Sequence, residues 1–458
     1  MRRVLAFCAI SMIVAMCVLT SVSTAGKRPR RHALATCFWE GPISMKRPTT
    51  RGFDGHYFNF PEKSATYWLA RFHLPGGAKL VLQGRYAHAR YQSINAYSSG
   101  APTDALSDYQ TVPNRRSVNP FIPRHRRNRK RRAYRITVLD RSPPADSSQR
   151  ARNTLYAHPQ SSSGSPFNPP IELLYRVYEP DRGRDLTGGT GLPSATLIMA
   201  GGKTMTGTAA CNAVNDSDRA IPTQTTPAAE WVAATHAPGC DPNTNPAYDP
   251  VRWERFFNLN YASLAVITDC TTAGRQARLS MPAQLTGGLY SNRDNAYIYA
   301  HLSRHFGPDV VVQAKLPTTP RTYNRARRMG SGQLRYWSLC SNESRVTTRA
   351  VDCLSDRQVP LRPGRRFVIV VSQRSDRPAN ATARCRVGWI DWGDRGDGAG
   401  RPDYGLLIMR DMLPAASFAQ AIQNVQRPGT EAQVMGDYYP RTSYTSKSAF
   451  EARGCPAR

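Results

Sequence analysis

Six charged residues that recur at matched positions in the two halves of the chain are the first candidates for chemistry. Arginine recurs as Arg90 and Arg335, and aspartate recurs as Asp104 with Asp352 and as Asp108 with Asp356. A pair of carboxylates can supply the acid and base of a glycosidase when the fold sets their separation. The same residues can instead form Arg–carboxylate pairs that hold a turn against a strand. We favour the structural pairing, and keep the aspartates as catalytic candidates and the arginines as ligand-binding candidates.

The densest charge run is RHRRNRKRR, residues 124–132, which includes Arg126, Arg127, Arg129 and Arg131. Such a run can attract an anionic polysaccharide or lipid surface, or it can be a solvated loop, which is the commoner case. It contains no Phe, Tyr or Trp, so base stacking is unsupported and nucleic acid is disfavoured as a partner. We keep these four arginines as candidates for binding an anion.

Flat aromatic rings beside carboxylates are a further hint of binding, because such rings stack on sugars. Trp389 and Trp392 flank Asp391 in the string WIDW. Large aromatic side chains are mostly buried, so a core role is the preferred interpretation. Both tryptophans are kept as ligand-binding candidates.

Metal and cofactor signatures are weak. His301 and His305 are four residues apart, but they fall at a strand end and turn rather than on a helix, and the loop Asp394–Asp403 lacks the twelve-residue calcium pattern that ends in Glu. The chain has no nucleophile elbow, phosphate loop or dinucleotide fingerprint. We therefore predict neither a metal nor a cofactor.

An internal repeat organises the elements that must position these residues. Residues 67–83 align without a gap over 297–313, and ARYQSINAYS (89–98) aligns over LRYWSLCSNE (334–343). DALSDYQTVP (104–113) lies over DCLSDRQVP (352–360) with one deletion, and RAYRITVL (132–139) lies over RRFVIVVS (365–372). A looser match sets LLYRVYEPD (173–181) over LLIMRDMLP (406–414). A conserved order of elements is what a duplicated domain predicts.

Short runs of β-branched and aromatic residues, separated by Pro, Gly, Asn and Asp, favour a mostly β fold. We predict two homologous β-sandwich or jelly-roll-like domains with few short helices. The predicted boundaries are a first β-domain at 26–195 with its basic loop at 124–132, an irregular connection at 196–290, and a second β-domain at 291–458. Helices are predicted at 249–265, with Asp249 as N-cap and Pro250 at the first position, and at 415–425.

The first 25 residues resemble a signal peptide. Arg2 and Arg3 precede an apolar run, and Ser23-Thr24-Ala25 fits a cleavage site after Ala25. We expect a secreted, periplasmic or cell-surface protein, without a transmembrane segment after signal removal. Eight cysteines remain beyond the signal, which suggests up to four disulfides in an oxidising compartment. The predicted pairs are Cys340 with Cys353, across a short loop, and Cys37 with Cys455.

The net charge is +30, from 62 Lys and Arg against 32 Asp and Glu. Such an excess favours acidic partners, but dispersed charge affects solubility and encounter rates more than it identifies a ligand.

The repeated order of an aromatic RYxS strand, an acidic turn, a β-branched strand and a strand ending in LP resembles secreted bacterial proteins of unknown function with tandem β-domains. The stretch from Arg335 to Pro414 is distantly similar to the paired domains of unknown function 1254 and 1214. The resemblance implies a β-rich fold and an envelope or extracellular setting, and it implies no catalytic residues. The sequence therefore predicts a binding or structural protein, with an anionic or carbohydrate ligand. The alternative is an extracellular hydrolase of a polymer with a carboxylate site between the repeats.

Overall fold

The computed structural model describes residues 37–46, 58–98, 100–158, 170–214 and 224–455. The predicted signal peptide, 1–25, lies outside these ranges. The described chain is mostly β, as predicted, and its strands form four sheets. None of the helices within these ranges is long and apolar enough to cross a membrane.

Within the described ranges, the first half contributes ten strands: β1 (Glu40–Ile43), β2 (Ala65–Phe72), β3 (Lys79–Arg85), β4 (Ala89–Ser98), β5 (Ala101–Ser107), β6 (Ala133–Leu139), β7 (Thr154–Tyr156), β8 (Ile171–Pro180), β9 (Ser194–Ile198) and β10 (Thr204–Thr206). They form a first sheet in the order β1-β2-β8-β4-β5 and a second sheet in the order β10-β9-β3-β6-β7. Side chains from both sheets meet in one apolar core, so this half is a two-sheet sandwich.

Between residues 224 and 455, the second half contributes nine strands: β11 (Glu254–Arg255), β12 (Asn295–Ser303), β13 (Asp309–Lys315), β14 (Tyr336–Asn342), β15 (Ala350–Ser355), β16 (Arg366–Ser372), β17 (Gly388–Asp391), β18 (Tyr404–Met412) and β19 (Arg441–Thr445). The third sheet has the order β11-β12-β18-β14-β15, and the fourth has the order β17-β16-β13-β19. These two sheets enclose a second apolar core.

The two halves repeat the same strand pairing. The first and third sheets follow one order, since β1, β2, β8, β4 and β5 of the first correspond in turn to β11, β12, β18, β14 and β15 of the third. The second and fourth sheets each contain a parallel edge pair, β6 with β7 and β16 with β17. This topology supports the inference of an internal duplication.

The first and third sheets are buried on both faces because they pack against each other. Along β8, Leu173, Tyr175 and Val177 enter the first core, while Leu174 and Tyr178 point the other way. The outward set meets Tyr336 and Met412 of the third sheet in a separate cluster. Side chains alternate between the faces of a strand, so the molecule is a stack of four sheets with the first and third at its centre.

In the part of the chain that the structure describes, six short helices accompany the sheets: α1 (Gly207–Val214), α2 (Ala228–Thr235), α3 (Leu259–Thr268), α4 (Thr272–Ser280), α5 (Glu431–Met435) and α6 (Lys447–Glu451). Trp231 of α2 and Ala262 and Val266 of α3 join a cluster with β18 residues. These helices therefore cover part of the third sheet.

Neither of the two predicted helices has the expected bounds. The helix expected at 249–265 begins at Leu259, where the Asn258 side chain accepts a hydrogen bond from the Tyr261 backbone. Residues before it instead include β11, which pairs with β12, so sheet pairing overrides the local Asp-Pro start signal. Within 415–425, the regular helical structure is a 3₁₀ turn at Ile422–Asn424.

The segment predicted as a connection also contributes to the sandwiches. Strand β9 spans the predicted boundary at residue 195 and pairs with β3, and β10 extends the same sheet. The sequence signal was weak there because Thr, Ala and Gly dominate the segment.

The structure forms four disulfides: Cys37–Cys211, Cys240–Cys270, Cys340–Cys353 and Cys385–Cys455. The predicted Cys340–Cys353 pair is confirmed, since these residues are opposite each other on β14 and β15. The predicted Cys37–Cys455 pair is wrong. Cys37 is joined to α1 and Cys455 to the loop that precedes β17, so each terminal cysteine is fixed to its own half.

Candidate ligand-binding cavity

A cavity of about 100 Å³ lies where the outward faces of the first and third sheets meet. Aromatic side chains from both halves line it, including Phe58, Tyr67, Tyr178, Tyr290 and Tyr297. Three arginines and one histidine also line it: Arg176, Arg345, Arg410 and His301. No Asp or Glu is among the described residues that form its wall. The cavity is therefore apolar, aromatic and cationic.

Arg176 and Arg410 occupy equivalent positions in the two halves. On β8, Arg176 lies opposite Tyr67 of β2 and Ser93 of β4. On β18, Arg410 lies opposite Tyr297 of β12 and Ser338 of β14. The guanidinium of Arg176 lies 5.8 Å from the centre of the Tyr67 ring, and that of Arg410 lies 5.7 Å from the Tyr297 ring. Each half thus presents one Arg–Tyr cation–π pair to the shared cavity.

Arg176 is 2% exposed. Its Nη2 donates to the carbonyl of Tyr290 at 2.5 Å, and its Nη1 is buried without a hydrogen-bond partner in the described structure. The guanidinium also lies 5.4 Å from the Tyr97 ring. Burial opposes the charged form, but the surrounding tyrosines outweigh it and the pKa of Arg176 is raised. A buried cation with a free donor is a site that an anion can satisfy.

Burial disfavours the charged form of Arg410, but Glu62 and the nearby tyrosines outweigh burial, and the pKa of Arg410 is raised. Glu62 lies behind the wall and is hydrogen-bonded by the Tyr336 hydroxyl. Burial raises the pKa of Glu62, although Arg410 opposes this. Arg410 itself donates to Cys340 Sγ at 3.0 Å and to the carbonyl of Phe60 at 3.2 Å. Glu62 therefore gives Arg410 a nearby counter-charge from outside the described wall of the cavity.

The far wall carries Arg345 and His301. Arg345 donates to the Ser263 hydroxyl and lies 5.4 Å from the Trp231 ring. Burial lowers its pKa. His301 Nδ1 lies 2.7 Å from the Tyr404 hydroxyl. Burial, followed by Arg345 and Arg401, lowers the pKa of His301 to about 3, so the imidazole is neutral at physiological pH and can exchange hydrogen bonds with a ligand.

His301 and His305 were considered above as a pair of metal ligands. His305 lies on a 3₁₀ turn beyond the end of β12 and contacts Asp403 at 3.5 Å. Among the described residues, no group of three His, Cys, Asp or Glu side chains is arranged to hold a metal ion.

The matched charged residues form ion pairs across the two halves. Arg90 donates to both oxygens of Asp356 at 2.6 Å, and it also pairs with Glu179. Arg335, the counterpart of Arg90, pairs at 3.2 Å with Asp108, the counterpart of Asp356. The sequence predicted Arg–carboxylate pairs, but it did not predict that each arginine pairs with the matched aspartate of the other half. These residues clamp the first sheet to the third.

The other two matched aspartates are also held by cations. Asp104 accepts from Arg150 at 2.6 Å, and Asp352 accepts from Lys63 at 2.6 Å. None of the four aspartates lines the cavity. The structure therefore does not bring the catalytic candidates together at this site.

The tryptophan candidates differ in burial. Trp392 is 3% exposed and donates from Nε1 to the carbonyl of Tyr404 at 3.1 Å. Trp389 is partly exposed and donates to the Ser372 hydroxyl at 3.0 Å, while the guanidinium of Arg377 lies 4.5 Å from its ring. Neither ring lies in the aromatic cavity.

The four candidate arginines of the basic loop also differ in burial. Arg127 is 3% exposed and pairs with Asp181 at 2.6 Å, so it is part of the framework. Arg126, Arg129 and Arg131 are exposed and lie outside the cavity.

Sequence reasoning missed the arginine pair because of a one-residue slip. The alignment of 173–181 over 406–414 places Arg176 opposite Met409, whereas strand pairing makes Arg410 its counterpart. Moving a strand by one residue transfers every side chain to the other face. A shift of one position in that last match would have aligned the two arginines.

Comparisons with known proteins give no functional information. No protein-family model matches the chain, so the resemblance to the 1254 and 1214 domains stays a prediction. No curated protein matches either. A solved structure of an uncharacterised protein from Burkholderia cenocepacia is 13% identical with a TM-score of 0.44, and the match covers 92% of this chain and 86% of that one. A Vibrio parahaemolyticus protein is 9% identical with a TM-score of 0.36, covering 84% and 90%.

Proposed function

We propose that this chain is a binding protein for a small organic anion with an apolar or aromatic body, and that the ligand occupies the cavity between the first and third sheets. The proposal rests on one observation: two equivalent buried arginines, Arg176 and Arg410, face one aromatic cavity that has no carboxylate in its described wall. A carboxylate would accept from the free Nη1 of Arg176. The tyrosine and phenylalanine rings would enclose the apolar body.

The setting that fits this proposal is the cell envelope or the outside of the cell. Four disulfides are consistent with an oxidising compartment. The predicted signal peptide leads to the same compartment. The alternative of an extracellular hydrolase receives less support, because each of its four candidate aspartates is occupied by a cationic side chain.

The test is calorimetric titration of the oxidised protein with benzoate, cinnamate and octanoate, beside the neutral benzamide. We expect at least one carboxylate to bind and benzamide to bind much more weakly, because the amide gives the arginines no charge to pair with. Arg176→Gln and Arg410→Gln should each weaken carboxylate binding by about tenfold or more, since a hydrogen bond to a charged group contributes about 1.5–3 kcal/mol.

The matched control is Arg132→Gln. Arg132 is buried to 2% exposure in the same half as Arg176, but it contacts His88 and backbone carbonyls outside the cavity. Equal losses in Arg132→Gln and Arg176→Gln would contradict the cavity as the site. Equal affinities for benzoate and benzamide would contradict an anion-selective one.

A further inference from the structure

The basic loop of the first half is paired with a second arginine-rich loop from the other half. The two loops form an antiparallel bridge between Arg126 and Arg328. The backbone N–H of Arg124 donates to the carbonyl of Met329 at 2.8 Å, and that of Arg127 donates to Arg327 at 2.9 Å. We call this paired structure, residues 124–131 with 325–329, the arginine ribbon.

The ribbon is fixed to the body of the protein by the side chain of Arg127. Its Nη2 contacts Asp181 at 2.6 Å and the carbonyl of Ala89 at 2.9 Å, and its Nη1 donates to the carbonyl of Ala326 at 3.2 Å. One buried guanidinium thus ties both loops to the first sheet. The exposed cations around it are held on an ordered support rather than on a solvated loop.

The exposed side chains of the ribbon are almost all cationic. From the first half they are Arg124, Arg126, Arg129, Lys130 and Arg131, and from the second half Arg325, Arg327 and Arg328. Neither 111–133 nor 317–334 contains an Asp or Glu. Asp181, which lies beneath the ribbon, is already paired with Arg127. The positive field of this face is therefore uncompensated by the segments that form it.

Two concave surfaces flank Arg126 and Asn128. One has a volume of about 580 Å³ and extends along Arg116, Arg129 and Arg131. The other has a volume of about 280 Å³ and reaches Arg327 and Arg328. Cations follow one another along both depressions, which suits a chain of repeated negative charges better than a single anion.

The surface chemistry distinguishes between polyanions. The large apolar side chains exposed in the described structure are Tyr109, Leu186, Ile267, Met281 and Leu285, and none belongs to the ribbon, so it offers no anchor for a bilayer. The nearby Tyr323 ring is covered by the guanidinium of Arg357 at 4.0 Å, so it is not a platform for a nucleobase. An anionic sugar chain needs neither feature.

We propose that the arginine ribbon is a binding surface for an anionic polysaccharide, separate from the cavity. The two halves each supply one side of this surface. Binding through exposed cations is screened by salt, so it should weaken steeply between low and physiological ionic strength.

The test measures binding of the full oxidised protein to immobilised dextran sulfate and alginate, with neutral dextran as the uncharged reference. The variant is Arg126→Gln/Arg129→Gln/Arg327→Gln, and the matched control is Arg384→Gln/Arg427→Gln/Arg441→Gln. All six side chains are exposed, and both variants lower the net charge equally. We expect about tenfold weaker binding for the ribbon variant and less than about twofold for the control.

Equal losses in the two variants would overturn the proposal, because they would show that net charge alone attracts the polymer. Tighter binding to phosphatidylglycerol vesicles or to single-stranded DNA than to both polysaccharides would also overturn it. Benzoate titration of the ribbon variant should be unchanged, so failure at the ribbon and failure at the cavity give different results.

Discussion

At the scale of single residues, the notable feature is buried charge without a matching counter-charge. A buried cation costs stability unless it is paired and hydrogen-bonded. Arg176 is 2% exposed, forms no ion pair within the described residues and leaves Nη1 without a partner. A buried cation that faces a cavity and keeps an unused donor is typical of a functional site.

We expect Arg176→Met to leave the free energy of unfolding of the ligand-free protein within about 1 kcal/mol of the wild type, because the lost cation–π and Tyr290 carbonyl contacts are offset by removing a buried charge that has no ion pair within the described residues. The same variant should lose carboxylate binding. Urea unfolding and calorimetric titration measure the two effects. A marked loss of stability would show instead that Arg176 mainly supports the backbone through the Tyr290 carbonyl.

Asp411 gives a pH prediction at the same scale. It is 2% exposed, and burial raises its pKa to about 7 although it accepts a hydrogen bond from the Ile422 N–H. The folded protein therefore holds this proton more tightly than the unfolded chain, in which an aspartate has a pKa of about 3.9. The stability that this proton provides is complete below about pH 4 and is lost as the pH rises through about 7.

Between pH 5 and pH 7.5 the wild type should therefore lose a few kcal/mol of stability relative to Asp411→Asn, which cannot ionise. Urea titrations of both proteins at the two pH values measure this difference. Parallel pH dependences in the two proteins would show that Asp411 does not titrate in this range.

At the scale of elements, strand register decides what the central sheets present. Strand β8 sends Leu173, Tyr175 and Val177 into its own core, and Arg176 and Tyr178 toward the other half. The equivalent strand of the second half, β18, sends Arg410 toward the same cavity. Because alternation is strict, the apolar core residues of a strand also fix which residues reach the cavity.

The disulfides bind elements over very different lengths of chain. Cys340–Cys353 closes 13 residues between β14 and β15, whereas Cys37–Cys211 spans 174 residues and joins the N-terminal segment to α1. The chain-entropy relation gives about 3 kcal/mol for the short loop and about 5 kcal/mol for the long one.

We therefore expect Cys37→Ser/Cys211→Ser to lower stability more than Cys340→Ser/Cys353→Ser does. Denaturant unfolding of each double variant, with the other three disulfides intact, measures both. The opposite order would mean that local packing around β14 and β15 outweighs the entropy of the unfolded chain.

At the scale of the whole molecule, the halves are locked together by exchanged ion pairs. Arg90 reaches Asp356 and Arg335 reaches Asp108, so each half supplies the arginine for the other half's acidic turn. The same type of Arg–Asp contact occurs in both directions, as it does in the interface of a two-fold dimer. It also holds the two faces that enclose the cavity.

Arg90→Gln should lower the free energy of unfolding by about 3–5 kcal/mol, because it leaves Asp356 and Glu179 buried without this cation. The double variant Arg90→Gln/Asp356→Asn should lose less than the sum of the two single variants. Arg374→Gln, which removes an exposed partner of Asp391, is the control and should show no measurable change. Additive losses at Arg90 and Asp356 would contradict direct coupling.

Sequence by itself determined the local architecture. The short β-branched and aromatic runs and the turn residues between them predicted a mostly β fold, and the strand pairing supports the alignment of Tyr67 with Tyr297 and of RYQS with RYWS. The Cys340–Cys353 pair followed from a short loop, and the pairing of Arg90 and Arg335 with carboxylates followed from their recurrence. These features depend on residues that are close in sequence or repeated in register.

Tertiary structure alone decided which half each partner comes from. Nothing local distinguishes an Arg90–Asp108 pair from the observed Arg90–Asp356 pair, since both aspartates lie in the same kind of turn. The cavity likewise exists because two sheet faces meet, and the equivalence of Arg176 and Arg410 depends on a register that a one-residue slip conceals. Contacts between distant segments are set by packing of whole faces, which a linear pattern does not encode.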